Sequence, residues 1–320
     1  MSHQPNTQDE WTIHALNIHG VFFERRCVDA IDATPNWKVL STNYPVEFPP
    51  PNGIWRGKES SLDIWARRDD DPNVIVDIFI ECKKANPEFV NWVFFAKPDL
   101  QQPTSFVFAK ATNTPNPAEF GTWTSQIVMQ SETTTRSISN DAREVKGDYV
   151  NYKGGNKTKT SNAAIQEAAY QVALANRAIV HEESELLCNA HGSSDHPAPP
   201  WPAKAYVPII VTTANLFRVD FASSSTSLRS GEIGLDEAAL VPIQSILYEY
   251  ALPKHLQYSP TQPLEMLKSG NSNTFSRMHI LVAHSEALPG LLLDLFASSK
   301  YEPAAMTPNY CSGLVKYQAA

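Results

Sequence analysis

Leu62-Asp63-Ile64-Trp65-Ala66, followed by the polar segment Arg67 to Asn73 and then by Val74-Ile75-Val76-Asp77-Ile78-Phe79-Ile80-Glu81-Cys82-Lys83, is the stretch that organises the chain. Two runs rich in β-branched and aromatic residues flank a turn-forming Asp71-Pro72 pair, and this predicts a β-hairpin. Successive side chains of a strand point to opposite faces. Val74, Val76, Ile78, Ile80 and Cys82 therefore share one wholly apolar face, and Ile75, Asp77, Phe79, Glu81 and Lys83 share the other. On the first strand Leu62, Ile64 and Ala66 lie together, opposite Asp63 and Trp65. A hairpin centred near Pro72 sets Trp65 against Phe79 and Asp63 against Glu81.

Opposed residues of an antiparallel pair have Cβ atoms roughly 4.5–5.5 Å apart. Two carboxylates at that separation repel unless positive charge lies between them. A hard divalent cation suits the gap, since Mg²⁺ takes oxygen ligands at about 2.0–2.1 Å. Lys83 follows Glu81 by two residues on the same face, where an ammonium can orient an attacking water or stabilise a phosphate. The backbone carbonyl of Cys82 adds a further oxygen ligand with no demand on its side chain. The same residues also fit a solvated face of an amphipathic hairpin, although Trp65 and Phe79 predict that this face is partly covered.

Asp63 followed by Glu81-Cys82-Lys83 resembles the PD-(D/E)xK signature of the restriction-endonuclease-like superfamily. The resemblance covers residues 11–97 closely and 161–220 loosely. It implies an α/β fold, a restriction-endonuclease-like central mixed sheet flanked by helices, with insertions and a C-terminal elaboration. It also implies Mg²⁺-dependent hydrolysis of DNA phosphodiester bonds, with Mn²⁺ able to substitute. Asp63 and Glu81 would be metal ligands together with the Cys82 carbonyl, and Lys83 would complete the catalytic set. The metal would polarise the scissile phosphate, acidify a water and stabilise the leaving oxygen. The family's first helix often carries a glutamate, a position that Glu24 in Phe22-Phe23-Glu24-Arg25-Arg26 matches. Glu24 also reads as a surface charge beside two arginines, and Glu59 is a competing carboxylate.

A later helix in some branches of the family presents a Q-x-x-x-Y pattern. Gln166 and Tyr170 have that spacing, with Glu167 where a hydrophobic residue is usual, and Gln171 is an alternative to Gln166. An ordinary helix face accounts for the same residues. Leu62 stands before Asp63 where the family motif has proline, and the long gap between Lys83 and Gln166 implies an insertion at about 112–160. Within and beside it Arg143, Lys146, Lys153, Lys157 and Lys159 interleave with Tyr149 and Tyr152. Such a mixture suits phosphate contact and base stacking, and equally a solvated loop.

Outside the hairpin the pattern predicts a first helix over Trp11 to Ala33, interrupted by Gly20, and a strand over Trp37 to Asn43. A proline-rich loop follows from Pro45 to Gly53. Strands are expected near 88–97 and 105–109, although the first also reads as a short helix. Ser161 to Leu187 is the clearest helix, with alanine and aliphatic residues at spacings of three and four. Strands over Tyr206 to Thr213, Leu216 to Phe221 and Met278 to Ala283 precede a final helix over Leu288 to Phe296. The domain is expected to span 11–300, with a polar tail at 1–10 and a C-terminal extension at 301–320.

The 320 residues carry 34 acidic and 26 basic side chains, so the net charge of -8 excludes a generally basic nucleic-acid coat. The four cysteines are scattered with no C-x-x-C pair, which argues for a reducing, cytoplasmic setting. No apolar run reaches the ~18 residues a membrane span needs. A homodimer or a partner subunit is compatible with the family. Cys188, His191 and His196 offer three potential zinc ligands with no fourth nearby. Gly53-Ile54-Trp55-Arg56-Gly57-Lys58-Glu59 lacks the spacing and the Ser/Thr of a P-loop. Two rival classes remain: a catalytically silent nucleic-acid-binding or interaction module on the same fold, and an α/β hydrolase-like or cysteine-dependent enzyme, which needs Cys82 or Cys188 within hydrogen-bond reach of a histidine.

Overall fold

A computed structural model describes residues 7–18, 20–47, 59–71, 74–86, 89–96, 105–111, 122–128, 138–145, 160–191, 203–256 and 277–299. The predicted first helix is two: α1 (Gln8–Ile18) and α2 (Val21–Asp32). The break falls at Gly20, whose φ of 77° lies in the left-handed region that a residue without Cβ enters freely. Lys84 ties this corner to the end of the hairpin by donating to the Asn17 carbonyl.

Three antiparallel strands follow: β1 (Trp37–Glu47), β2 (Glu59–Asp71) and β3 (Val74–Lys83). The predicted register holds from Arg68 against Val76 to Ile64 against Ile80, Trp65 facing Phe79, but the ladder stops there and the expected pair of Asp63 with Glu81 is not formed. Two expectations about the extent of the strands do not hold. Pro45 to Glu47 continue β1, and the missing proline N–H is tolerated because β1 ends the strand order. Arg67 to Asp71 continue β2 instead of forming a polar turn. The charges of the two arginines are neutralised in place: Arg67 clamps the fully buried Asp77 across the hairpin at 2.6 and 2.7 Å, and Arg68 pairs with Asp70 at 2.7 Å.

Beyond β3 come β4 (Asn91–Ala96), β5 (Ser105–Ala111), β6 (Thr122–Val128), β7 (Ile138–Val145) and the short β8 (Thr160–Ser161). The long helix α3 (Ala163–His191) leads into β9 (Ala203–Thr212) and β10 (Asn215–Phe221). The chain ends its described part with β11 (Ala238–Ile243), β12 (Ser245–Ala251), β13 (Arg277–His284) and α4 (Leu288–Ser299). Among the described residues these strands join in one mixed sheet whose main path runs β1-β2-β3-β9-β13-β12-β7-β4-β10-β11. Within 112–160 the described strand β7 pairs with both β4 and β12.

Strands β3, β9 and β13 run parallel, so Lys83, Thr212 and His284 stand level at one end of the sheet. The two faces are covered differently. Helix α3 lays Ile165, Ala168, Val172 and Ile179 against Phe79, Tyr206, Ile210 and Tyr248. On the opposite face Cys27 and Ile31 of α2 and Leu291 and Leu295 of α4 pack on Ile78, Ile80, Cys82 and Ile209. The protein is therefore α/β, with a large mixed sheet flanked by helices. Among the described residues no helix is long and apolar enough to cross a membrane.

Candidate active site

The Glu81–Lys83 end of β3 is where the hairpin ladder gives out. The last backbone pair is Ile64 with Ile80. One residue further along β2, Asp63 turns its own carboxylate to the strand, and Oδ2 accepts the Cys82 N–H at 2.7 Å. A strand residue sends its N–H and its C=O to the same edge, and neighbouring residues alternate between edges. The Lys83 carbonyl accepts from Thr213 N at 3.3 Å on the β9 side. Cys82 thus presents both its N–H and its carbonyl on the β2 side, toward Asp63. Thr213 braces the same end a second time, its Oγ1 accepting the Ala85 N–H at 2.9 Å.

Glu81 is 1% exposed. Its Oε1 lies 3.0 Å from Lys83 Nζ, while its Oε2 is buried with no hydrogen-bond partner. Burial, and then the charge of Asp63, push the Glu81 carboxyl up to about 8, against the opposing pull of Lys83. Burial also raises Asp63, although the Cys82 N–H and the Lys83 charge oppose it. A carboxylate pair this poor in positive charge holds its protons or takes a cation.

Glu24 belongs to the same constellation. Burial raises its carboxyl, and the next influences on it are the charges of Asp63 and then Lys83. Glu24 of α2 is thus within electrostatic reach of Asp63 and Lys83, on the helix where the family resemblance expects a glutamate.

Helix α3 approaches from the other side, and here the contacts differ from expectation. Lys83 Nζ donates to Gln171 Oε1 at 2.9 Å, and Glu167 Oε1 lies 3.9 Å from it. Gln166 and Tyr170 face a different neighbourhood: Gln166 Nε2 donates to the Tyr248 hydroxyl at 2.6 Å, and the Tyr170 hydroxyl lies 3.1 Å from His255 Nε2. The reason is helical phase. Residues 167 and 171 share one stripe, 166 and 170 the adjacent one. The alternative glutamine, not the Q-x-x-x-Y pair, reaches the triplet. Glu167 was not assigned to the site from sequence. The signal for Glu167 was its acidity at a position where the pattern expects an apolar residue.

The Cys82 thiol plays no part at this end. It faces α2 within hydrogen-bonding reach of Cys27, which with burial pushes it well above its ordinary range. Its described partner is a thiol and not the histidine that a cysteine nucleophile requires. Lys146, Lys153, Lys157, Lys159, Tyr149 and Tyr152 lie outside the described residues, as does His196 together with the side chains of Cys188 and His191. Arg143, at the start of that basic segment, lies on β7 and pairs with Asp141.

Among the described residues no group of three or more histidine, cysteine, aspartate or glutamate side chains is arranged to hold a metal ion. The donors at hand are those of the expected minimal set: the bare Glu81 Oε2, the Asp63 carboxylate and the Cys82 carbonyl. All are hard oxygen donors, which fit Mg²⁺ or Mn²⁺ better than a softer ion. No family model, no curated protein and no solved structure matches the chain.

Proposed function

We propose that the protein is a metal-dependent nuclease of restriction-endonuclease-like fold that hydrolyses phosphodiester bonds of DNA. One observation carries this reading: the buried Glu81 carboxylate leaves Oε2 without a partner, beside Asp63 and within 3.0 Å of Lys83. An unpaired buried carboxylate oxygen is costly, and its natural complement is a cation. The order of elements agrees, with a glutamate-bearing helix, a hairpin ending in Glu-x-Lys and then a helix whose polar side chains reach the lysine.

When bound there, a divalent cation supplies Lewis acidity toward a phosphate oxygen and acidifies a water. The chain's own groups do the rest. Asp63 and Glu81 provide negative charge on rigid strands. Lys83, held by Glu81 and Gln171, places an ammonium where the phosphate or the attacking water gathers negative charge. Glu24, within electrostatic range of Asp63, is a further acceptor that can orient water.

A second reading is the catalytically silent nucleic-acid-binding module. It is favoured by the absence of a three-side-chain metal group among the described residues and by the use of Asp63 Oδ2 on the Cys82 N–H. Cleavage of mixed linear and circular DNA with Mg²⁺ or Mn²⁺ decides between them. The nuclease reading expects cutting by the wild type and none by Glu81→Ala or Lys83→Ala. Cutting by all three places the activity elsewhere or in a contaminant. Cutting by none favours the silent module.

A further inference from the structure

Lys83 is anchored from two elements at once. On its own strand Glu81 Oε1 lies 3.0 Å from Nζ, and on α3 the Gln171 Oε1 accepts from it at 2.9 Å. Glu167, one helical turn before Gln171, holds a carboxylate oxygen 3.9 Å from the same ammonium. The three acceptors differ in kind. Glu81 is buried and fixed, Gln171 is neutral, and the Glu167 side chain is 65% exposed and so has room to move.

This inference rests on the nuclease reading. A divalent cation on Glu81 Oε2 weakens the hold of Oε1 on the Lys83 ammonium, because two positive charges then share one carboxylate. The lysine must yield part of its bond to Glu81 and still remain in the site. An anion on α3, already facing the ammonium and just beyond hydrogen-bonding distance, offers the place for it. Glu167 is too exposed to be explained as core packing.

We infer that Glu167 is a positioning residue that, with Gln171, takes the Lys83 ammonium onto α3 when Glu81 turns to a divalent cation. Lys83 then occupies two positions separated by a small swing of its flexible stem, one clamped on Glu81 and one held by the helix. In the second it stays beside the reacting phosphate without competing for the carboxylate that the cation needs.

The test is Mn²⁺ binding, followed by the electron paramagnetic resonance of the free ion, for wild type, Glu167→Gln, Lys83→Met and the double variant at one pH and ionic strength. Glu167→Gln changes an exposed side chain and leaves the fold intact. The inference expects it to weaken Mn²⁺ binding about two- to fivefold, the effect an exposed ion pair commands. Lys83→Met removes the competitor and tightens binding. In that background the Glu167 change has no further effect. An equal loss with and without Lys83 overturns the inference, since Glu167 then acts only as a surface charge. So does an unchanged affinity in the single variant. A wild type that binds no Mn²⁺ overturns the nuclease reading and this inference with it, whereas a wild type that binds, paired with a silent Glu167→Gln, overturns the inference alone.

Discussion

The Asp63 carboxylate accepts the main-chain N–H of Cys82 at 2.7 Å and in doing so ends the hydrogen-bond ladder between β2 and β3. One side chain thus carries both a structural bond and a candidate ligand, and two substitutions separate these roles. Asp63→Asn keeps an oxygen for the Cys82 N–H and is expected to leave stability close to wild type. Asp63→Ala orphans a buried donor and is expected to cost about 1–3 kcal/mol in urea unfolding. Both are expected to abolish metal-dependent cleavage. Full activity in Asp63→Asn removes the charge of Asp63 from the chemistry.

Glu81 predicts an unusual dependence of stability on pH. Burial and Asp63 raise its carboxyl to about 8, while in the unfolded chain it returns to its ordinary value near 4.5. Between those values the folded protein keeps a proton that the unfolded chain has released. Stability of the metal-free protein therefore falls as pH rises through this window, by up to ~1.4 kcal/mol per pH unit. Asp63 and Glu24, also raised, act in the same direction. Glu81→Gln is expected to flatten most of the slope, to be the more stable protein at pH 8 and to lose cleavage. Parallel slopes for the two proteins count against a raised Glu81.

Lys83→Met keeps the apolar stem and deletes the ammonium. It is expected to lower the single-turnover cleavage rate by about 100-fold or more, the loss typical of a group that stabilises developing charge. Cation affinity is improved, because Glu81 is released from its partner. A wild-type rate in this variant takes the lysine out of the reaction.

Arg67 and Asp77 form a fixed pair on the same face of the hairpin, four residues toward the turn from the candidate site. Asp77 is fully buried, and Arg67 lies over the Trp65 ring at 5.9 Å. Arg67→Met takes a two-pronged partner from a buried carboxylate and is expected to cost about 3 kcal/mol, the low end for breaking such a pair because Arg67 is itself 22% exposed. Arg67→Met combined with Asp77→Leu is expected to recover most of it. Urea unfolding of the three variants reads both effects.

The hairpin was legible because its information is local. Alternation along Val74–Lys83 and the Asp71-Pro72 signal sufficed to set Trp65 against Phe79. The charged run Arg67 to Asp71 misled for the opposite reason. Its polarity is cancelled by Asp77 and by Asp70 within the run, and a pairing across a hairpin is invisible to a window of neighbours. Strands β11 and β12 were missed although Ile246, Tyr248 and Tyr250 alternate with Leu247 and Glu249. Ile246 and Tyr248 of β12 join the core beneath α3 and Leu247 the core on the opposite face, both built from distant parts of the chain, whereas β11 stays largely exposed.

The site was legible to a similar depth. The strand pattern names Asp63, Glu81 and Lys83 and the family resemblance names Glu24; in the structure Asp63 and Lys83 lie within electrostatic range of both glutamates. The choice among glutamines on α3 was not decidable, since Gln166 and Gln171 differ only in helical phase relative to β3. The axial rotation of a helix against a sheet is set by packing. It is the core contacts of Ile165, Ala168 and Val172 that turn residues 167 and 171 toward Lys83.

Calorimetric titration of Mn²⁺ or Mg²⁺ into the wild type and Glu81→Gln, at pH 7 in two buffers of different ionisation enthalpy, tests the central claim most directly. A cation taking Glu81 must displace the proton that this carboxyl holds below about 8. The account predicts binding by the wild type with release of about one proton, and no comparable binding by Glu81→Gln. Equal affinity in both proteins, or no binding by the wild type, contradicts it.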